Sequence, residues 1–320
     1  MWRFGPIGDL LRWMLDLIYS LVGNYGWAVL VFTLVIRLIL MPLDIKSRRS
    51  MKKMQAVQPR IDEINKKYAN DKDKLNRKTQ ELYQKEKINP LAGCLPMLIQ
   101  MPILFAMFAV MREIANEETV AMVLSIKDAL EQGISNFQPQ LQGLLWIKNV
   151  FQPDSFMATV VPAAGSTLME VSGPSGQMTA EMIETAKAFL ATDAYRIWAD
   201  AYGNAITYSA PLLMWTINIP KVFNGLFLLP IFSAVSQFLA SKFQTGGQQP
   251  AANDQKSSTN ALMKWFFPLF SLWICASSNA AFALYWVFIN VFQILQQYII
   301  GKMIDRSDAK KKLIEEAETK

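Results

Sequence analysis

Residues 27–43, WAVLVFTLVIRLILMPL, form an apolar run whose one charge is Arg37. A helix rising about 1.5 Å per residue needs roughly 20 residues, and at least about 17, to cross a hydrocarbon core about 30 Å thick. Four further stretches, 91–111, 225–240, 261–276 and 280–300, have the same texture. A bilayer core has no water for backbone groups, so each stretch must satisfy its own hydrogen bonds as a helix. The fold class expected is an all-α integral membrane protein with five transmembrane helices, at 25–44, 90–112, 222–242, 261–278 and 279–301. Tyr19, Tyr25 and Trp27 form an aromatic belt at the start of the first span. Residues 1–24 are predicted to be an amphipathic interfacial helix, because Leu10, Leu11, Met14, Leu15 and Ile18 share a face that Asp9, Arg12 and Asp16 mostly avoid. Charges inside that segment argue against a signal peptide.

Composition agrees: 52% of the 320 residues are hydrophobic, 18% are charged and none is histidine. Without histidine the chain cannot build a Ser-His or Cys-His pair or an H-E-x-x-H zinc site. It carries no Walker A sequence, no G-x-G-x-x-G and no carboxylate pair within a span. No enzyme activity, cofactor or metal is therefore expected. Cys94 and Cys275 both fall in apolar segments, so no disulfide framework is readable.

Charge sets the expected orientation. Residues 45–90 hold 14 Lys or Arg against 6 acids, whereas residues 112–221 hold 6 against 11. Basic residues near span ends mark the cytoplasmic side, and KSRRSMKK follows the first span directly. Residues 45–89 are thus cytoplasmic, 113–221 extracytoplasmic, 243–260 cytoplasmic and the tail 302–320 cytoplasmic, with the N-terminus outside and a tight turn near Ser278. Within 45–89, apolar positions repeat at intervals of three and four around the polar turn ANDKDK, which predicts a helical hairpin. Its stripe residues Met51, Met54, Ile61, Ile64, Leu75 and Leu82 are candidate contacts for a partner; a solvated hairpin that only orients the protein is the plainer reading. Residues 152–210 read as a Gly-, Ser- and Pro-rich linker followed by one interfacial helix.

Few polar side chains remain in the spans: Arg37, Gln100, Gln237, Asn290 and Gln293, with Thr33, Ser233 and Ser236. A charge at a helix centre costs about 2.5–3.5 kcal/mol on insertion scales, so it faces water or a partner. Two readings of Arg37 stand: a hydrated pocket, or a side chain snorkelling about 9 Å toward the interface near Leu43. Asp44 lies about 10 Å along the same helix, too far for a pair within it. Gln100 suits an interhelical hydrogen bond as well as a binding position. Asn290 and Gln293, three apart, share one face, while Tyr285 and Trp286 suit packing or an aromatic belt. Pro96, Pro102, Pro230 and Pro268 loosen the spans.

The stretches YGWAVLVFTLVIRLILMPLDIKSRRSMKKMQAVQPRIDEINKKY, NPLAGCLPMLIQMPILFAMF, LQGLLWIKNVFQPD, LPIFSAVSQFLASK, MKWFFPLFSLW and ALYWVFINVFQILQQYII resemble the YidC/Oxa/Alb family of membrane protein insertases. The resemblance implies a five-helix bundle around a hydrophilic groove open to the cytoplasm, with Arg37 as the groove arginine and Gln100, Gln237, Asn290, Gln293, Trp286 and Thr33 as further client-binding candidates. It implies that the hairpin receives nascent membrane-protein clients at a bacterial plasma membrane, and that the lipid bilayer, the Sec translocon and the ribosome are partners. The chain departs from the family in three ways: no large periplasmic domain, as in the short Gram-positive form; no lipoprotein cysteine; and a long insertion over 152–220, with CASSNAAFALYW where a Pro-Gly pattern is expected. The rival reading is a transporter or channel that binds an anionic solute at Arg37. It predicts an internal repeat and intramembrane carboxylates, and neither is present in the sequence.

Overall fold

The computed structural model describes residues 5–89, 95–168, 178–212, 215–245 and 255–318. Its helices are α1 (Gly5–Val22), α2 (Tyr25–Lys67), α3 (Lys72–Lys85), α4 (Leu95–Glu131), α5 (Ala180–Leu190), α6 (Asp193–Ala199), α7 (Leu228–Thr245), α8 (Gln255–Ser277) and α9 (Ala280–Glu318). One antiparallel hairpin, β1 (Ile206–Leu212) and β2 (Trp215–Pro220), stands among them. Among the described residues, three helices are long and apolar enough to cross a membrane: Tyr25–Lys67, Leu98–Glu131 and Ala280–Ser307. The helices α7 and α8 cover the other two expected spans with 18 and 23 residues.

Several helices outrun the expected spans. α2 continues for 43 residues, from the apolar run through the basic segment, with Pro42 and Pro59 inside it. The Lys, Arg, Met and Gln residues after Asp44 are good helix formers, so the ladder carries on past the two missing N–H groups. α4 extends to Glu131 rather than ending at 112, because Ile114, Val120, Val123 and Ile126 continue a buried face. α9 runs on through the basic tail. The turn expected near Ser278 is present between α8 and α9.

The chain divides into two compact units. The first comprises Met1–Thr33, Pro102–Ala234 and Phe270–Phe288. In it, α1 buries Leu11 and Leu15 but exposes Leu10, Trp13, Leu17 and Leu21. Arg12, read from sequence as part of the polar face, is buried too: it donates to Asp16 at 2.8 Å and Glu117 at 2.7 Å, with Glu113 3.8 Å away. Burial opposes the charge on Arg12, but the bonds to Glu117 and Asp16 outweigh it and raise its pKa.

The insertion is more structured than a linker and one helix. Val160 and Val161 are buried, and Val161 joins Val120, Val123 and Ile126 of α4, Ile183, Ala186 and Leu190 of α5, and Tyr195 and Trp198 of α6 in one core. Tyr195 Oη donates to Pro162 O at 2.7 Å, and Gly165 N donates to Leu190 O at 2.9 Å. The central part of the expected linker, 169–177, lies outside the described residues. The β-hairpin departs from the all-α expectation: Ile, Tyr, Thr and Trp favour extended backbone, and residues 206–210 and 215–219 each alternate apolar and polar residues.

A polar anchor holds the entry to α7. Asp154 Oδ2 accepts from Leu229 N at 2.6 Å, and Oδ1 accepts from Leu226 N at 2.8 Å and Trp146 Nε1 at 3.2 Å. The Leu229 amide is among those a helix leaves unsatisfied at its start. Asn224 Nδ2 donates to Asn149 O and Pro153 O, both at 2.9 Å, fixing the preceding turn.

The second unit comprises Leu34–Met101, Val235–Leu269 and Ile289–Lys320. Its predicted hairpin is present, formed by the latter half of α2 and α3. Asp71 caps α3 by accepting from Lys74 N at 3.0 Å, and Arg60 bridges to Glu86 at 2.5 Å. Val57, Ile61, Leu82 and Ile88 form the hairpin's buried core, with Met54, Ile64 and Tyr83 packed against it.

Candidate functional site

The candidate site lies in the second unit, on facing parts of α2, α7 and α9. Arg37 is 6% exposed. Its Nη2 donates to Ile289 O and to Gln293 Oε1, each at 3.0 Å. Ile289 O can accept this bond in addition to its helical one, because a carbonyl oxygen has two lone pairs. These two acceptors are neutral oxygens on α9. The guanidinium is thus held against a neighbouring helix.

The same helix turns a second polar side chain toward α7. Asn290 Nδ2 donates to Gln237 Oε1 at 3.1 Å and Ser236 Oγ at 3.3 Å. Further along, Gln296 Nε2 donates to Asp44 Oδ2 at 3.0 Å, and Lys52 Nζ meets Asp305 Oδ1 at 2.6 Å. Residue numbers rise together in these contacts (37 with 289 and 293, 44 with 296, 52 with 305), so α2 and α9 run parallel here. Their basic continuations leave by the same end.

Of the residues read from sequence as site candidates, Arg37, Gln237, Asn290 and Gln293 come together through α9. Gln100 is half-buried in the same unit. Thr33 is fully buried and bonds back to Val29 O at 2.7 Å within its own helix. Trp286 belongs to an aromatic group, its ring 5.7 Å from Phe282 and 6.4 Å from Phe270, and its Nε1 bonds to no described group. In the hairpin, Ile61 and Leu82 are buried in its own core, and Met51, Met54, Ile64 and Leu75 are half-buried. Gln296 was absent from the sequence-derived set. Its signal was available: Asn290, Gln293 and Gln296 stand at intervals of three in an otherwise apolar span.

The family described as 60Kd inner membrane protein matches residues 17–308. The chain belongs to this family, the YidC/Oxa/Alb group. It is similar to proteins named membrane protein insertase YidC: that of Treponema denticola, 28% identical over 94% of this chain and 38% of the relative, and that of Fusobacterium nucleatum, 50% identical over 34% of this chain and 53% of the relative. That of Thioalkalivibrio sulfidiphilus is 41% identical over 43% of this chain and 25% of the relative. The chain thus spans from about a quarter to about half of these relatives' lengths. A solved structure titled as an active YidC insertase with its first transmembrane domain resolved has a TM-score of 0.42 and 19% identity, covering 93% of this chain and 47% of that one. Family and apolar helices together mark a bacterial membrane protein.

Proposed function

We propose that the protein is a membrane protein insertase whose five long helices cross the bacterial plasma membrane, N-terminus outside and C-terminus inside. The observation that carries the proposal is Arg37, a buried cation halfway along an apolar run, held by neutral oxygens of α9 beside the polar set Asn290, Gln237 and Ser236. A site of this kind attracts acidic residues in the short translocated part of a client, while a polar, hydrated groove shortens the apolar path that part must cross. The client's hydrophobic segment moves into lipid alongside. Its partition into lipid and the membrane potential, about 2.3 kcal/mol per charge per 100 mV, supply the energy without a nucleotide.

In this reading the hairpin of α2 and α3 receives clients through its charged outer face and the half-buried Met51 and Leu75, since Ile61 and Leu82 serve its core. The ribosome and the Sec translocon are the proposed partners on that side. The test is insertion of a small client with an acidic tail into sealed vesicles carrying the purified protein. Insertion should drop several-fold with Arg37→Ala and less with Arg37→Lys, which keeps the charge and loses the planar fork. Equal insertion with wild type, Arg37→Ala and empty vesicles would sink the proposal. Solute flux that tracked Arg37 substitutions would replace it with the transporter reading.

A further inference from the structure

The β-hairpin has no role in the function proposed above. Its register pairs Tyr208 with Ile219 and Ala210 with Ile217, so these four side chains share one face; Ser209 paired with Asn218, and Thr216, share the other. On the polar face Ser209 Oγ donates to Asn218 Oδ1 at 2.9 Å. On the apolar face Tyr208 is 58% exposed and Ile217 and Ile219 only half-buried; Ile206, at the base, is 59% exposed. None of these residues belongs to the neighbouring hydrophobic core.

The arm is rigidly rooted. Val222 N donates to Gly203 O at 2.9 Å and Lys221 N to Ala205 O at 2.8 Å, and a Cβ on Gly203 would fall 2.5 Å from Val222 Cγ2, so glycine is required for the strands to close at their base. Asn224 N then ties the exit to Ala158 O at 2.9 Å. An isolated two-stranded hairpin is marginal in water, and on the apolar face of this one Tyr208 is exposed and Ala210, Ile217 and Ile219 are only partly covered, at the end of a fixed root.

Two observations identify the occupant. Residues 201–220 contain no charged side chain, so the arm offers a charged partner no complementary group. The chain then passes within eight residues from Pro220 to Leu228, the start of α7, and the connecting and first helical residues Leu226, Ile231 and Phe232 are themselves exposed and apolar. In the function proposed above, on which this inference rests, α7 is a spanning helix; an exposed apolar surface on it then faces lipid, and about eight residues of chain reach at most about 28 Å. We propose that the hairpin Ile206–Pro220 is a membrane-contact arm, laying its Tyr208, Ala210, Ile217 and Ile219 face on the lipid surface next to α7. The contact is apolar and needs no anionic headgroup.

The experiment uses the full chain, with Cys94→Ser and Cys275→Ser, in vesicles of neutral phosphatidylcholine. Tyr208→Cys and Ile217→Cys are each labelled with an environment-sensitive fluorophore, with Ser209→Cys and Asn218→Cys as opposite-face controls. Lipid-borne quenchers should act several-fold more strongly at 208 and 217 than at 209 and 218, equally at low and high salt. Equal access of aqueous iodide at all four positions, with little quenching from lipid, would overturn the proposal and leave the arm in water. Protection from iodide at 208 and 217 without lipid quenching would also overturn it, and would place a second copy or another protein on that face. Hydrogen exchange of residues 206–220 in the unsubstituted protein gives a reading free of any folding defect: exchange as fast in vesicles as in an unstructured peptide contradicts the proposal.

Discussion

Gln296 Nε2 donates to Asp44 Oδ2 at 3.0 Å, joining α9 to α2 seven residues beyond Arg37. Two neighbouring turns of α9 thereby hold the two charged side chains at 37 and 44 of α2, Gln293 taking the cation and Gln296 the anion. A hydrogen bond to a charged group contributes about 1.5–3 kcal/mol. Gln296→Leu should therefore lower the thermal unfolding midpoint of the detergent-purified protein more than Gln297→Leu does. Equal midpoints for the two variants would remove Gln296 from the account.

Asp154 closes the start of α7 across more than 70 residues of sequence by accepting from Leu226, Phe227 and Leu229 amides. Asp154→Ala leaves these donors and Trp146 Nε1 without their acceptor, and should cost about 2 kcal/mol or more. Asp154→Asn retains one acceptor oxygen and should recover part of that. Gly225→Ala should be as damaging as the alanine at 154, because its Cβ would collide with the Asp154 carboxylate. Denaturant titration followed by tryptophan emission would rank the three.

Arg12 is the cation among Asp16, Glu113 and Glu117, and it fastens α1 to α4. Removing one partner of a buried ion pair costs on the order of 3 kcal/mol, because the charges left behind have lost both water and partner. Arg12→Ala should expose residues 5–22 to protease and to hydrogen exchange while leaving the α2–α3 hairpin protected. Arg12→Lys should restore only part of the protection, since one ammonium cannot reproduce the fork that reaches both Asp16 and Glu117. Uniform loss of protection along the chain would show that Arg12 acts on the whole fold and not on α1.

Burial raises the pKa of Tyr195, whose hydroxyl donates to Pro162 O inside the insertion's core. An unfolded tyrosine titrates near about 10, so the neutral form is favoured by folding and its stabilisation is complete below that pH. It is lost as pH rises from about 10 toward the higher folded value. Melting curves between neutral and strongly alkaline pH should therefore fall less steeply for Tyr195→Phe than for wild type, at the cost of a lower midpoint at pH 7. Parallel curves would show that Tyr195 is not the titrating group.

How much of this was legible beforehand follows the range of the interactions. The spans, the hairpin's turn and the position of Arg37 are local: an apolar run, a polar break at residues 69–74 and a single charge need no knowledge of neighbours. The helix ends are not legible for the same reason. Polarity marks where a helix leaves an apolar medium, not where its hydrogen bonds stop, so α2, α4 and α9 are longer than the apolar runs they contain. Arg12 reads as part of a polar face because Glu113 and Glu117, which bury it against α4, lie a hundred residues away.

The linear order of residues determined a helical membrane chain with a mid-span arginine, a basic hairpin and no histidine chemistry. Tertiary structure alone decided that Arg37 lies against Ile289 and Gln293, that Asp154 caps α7, and that the insertion carries a rooted β-hairpin. Those pairings join groups 70 to 256 residues apart or depend on a strand register, and no local periodicity encodes which distant oxygen a buried donor will find.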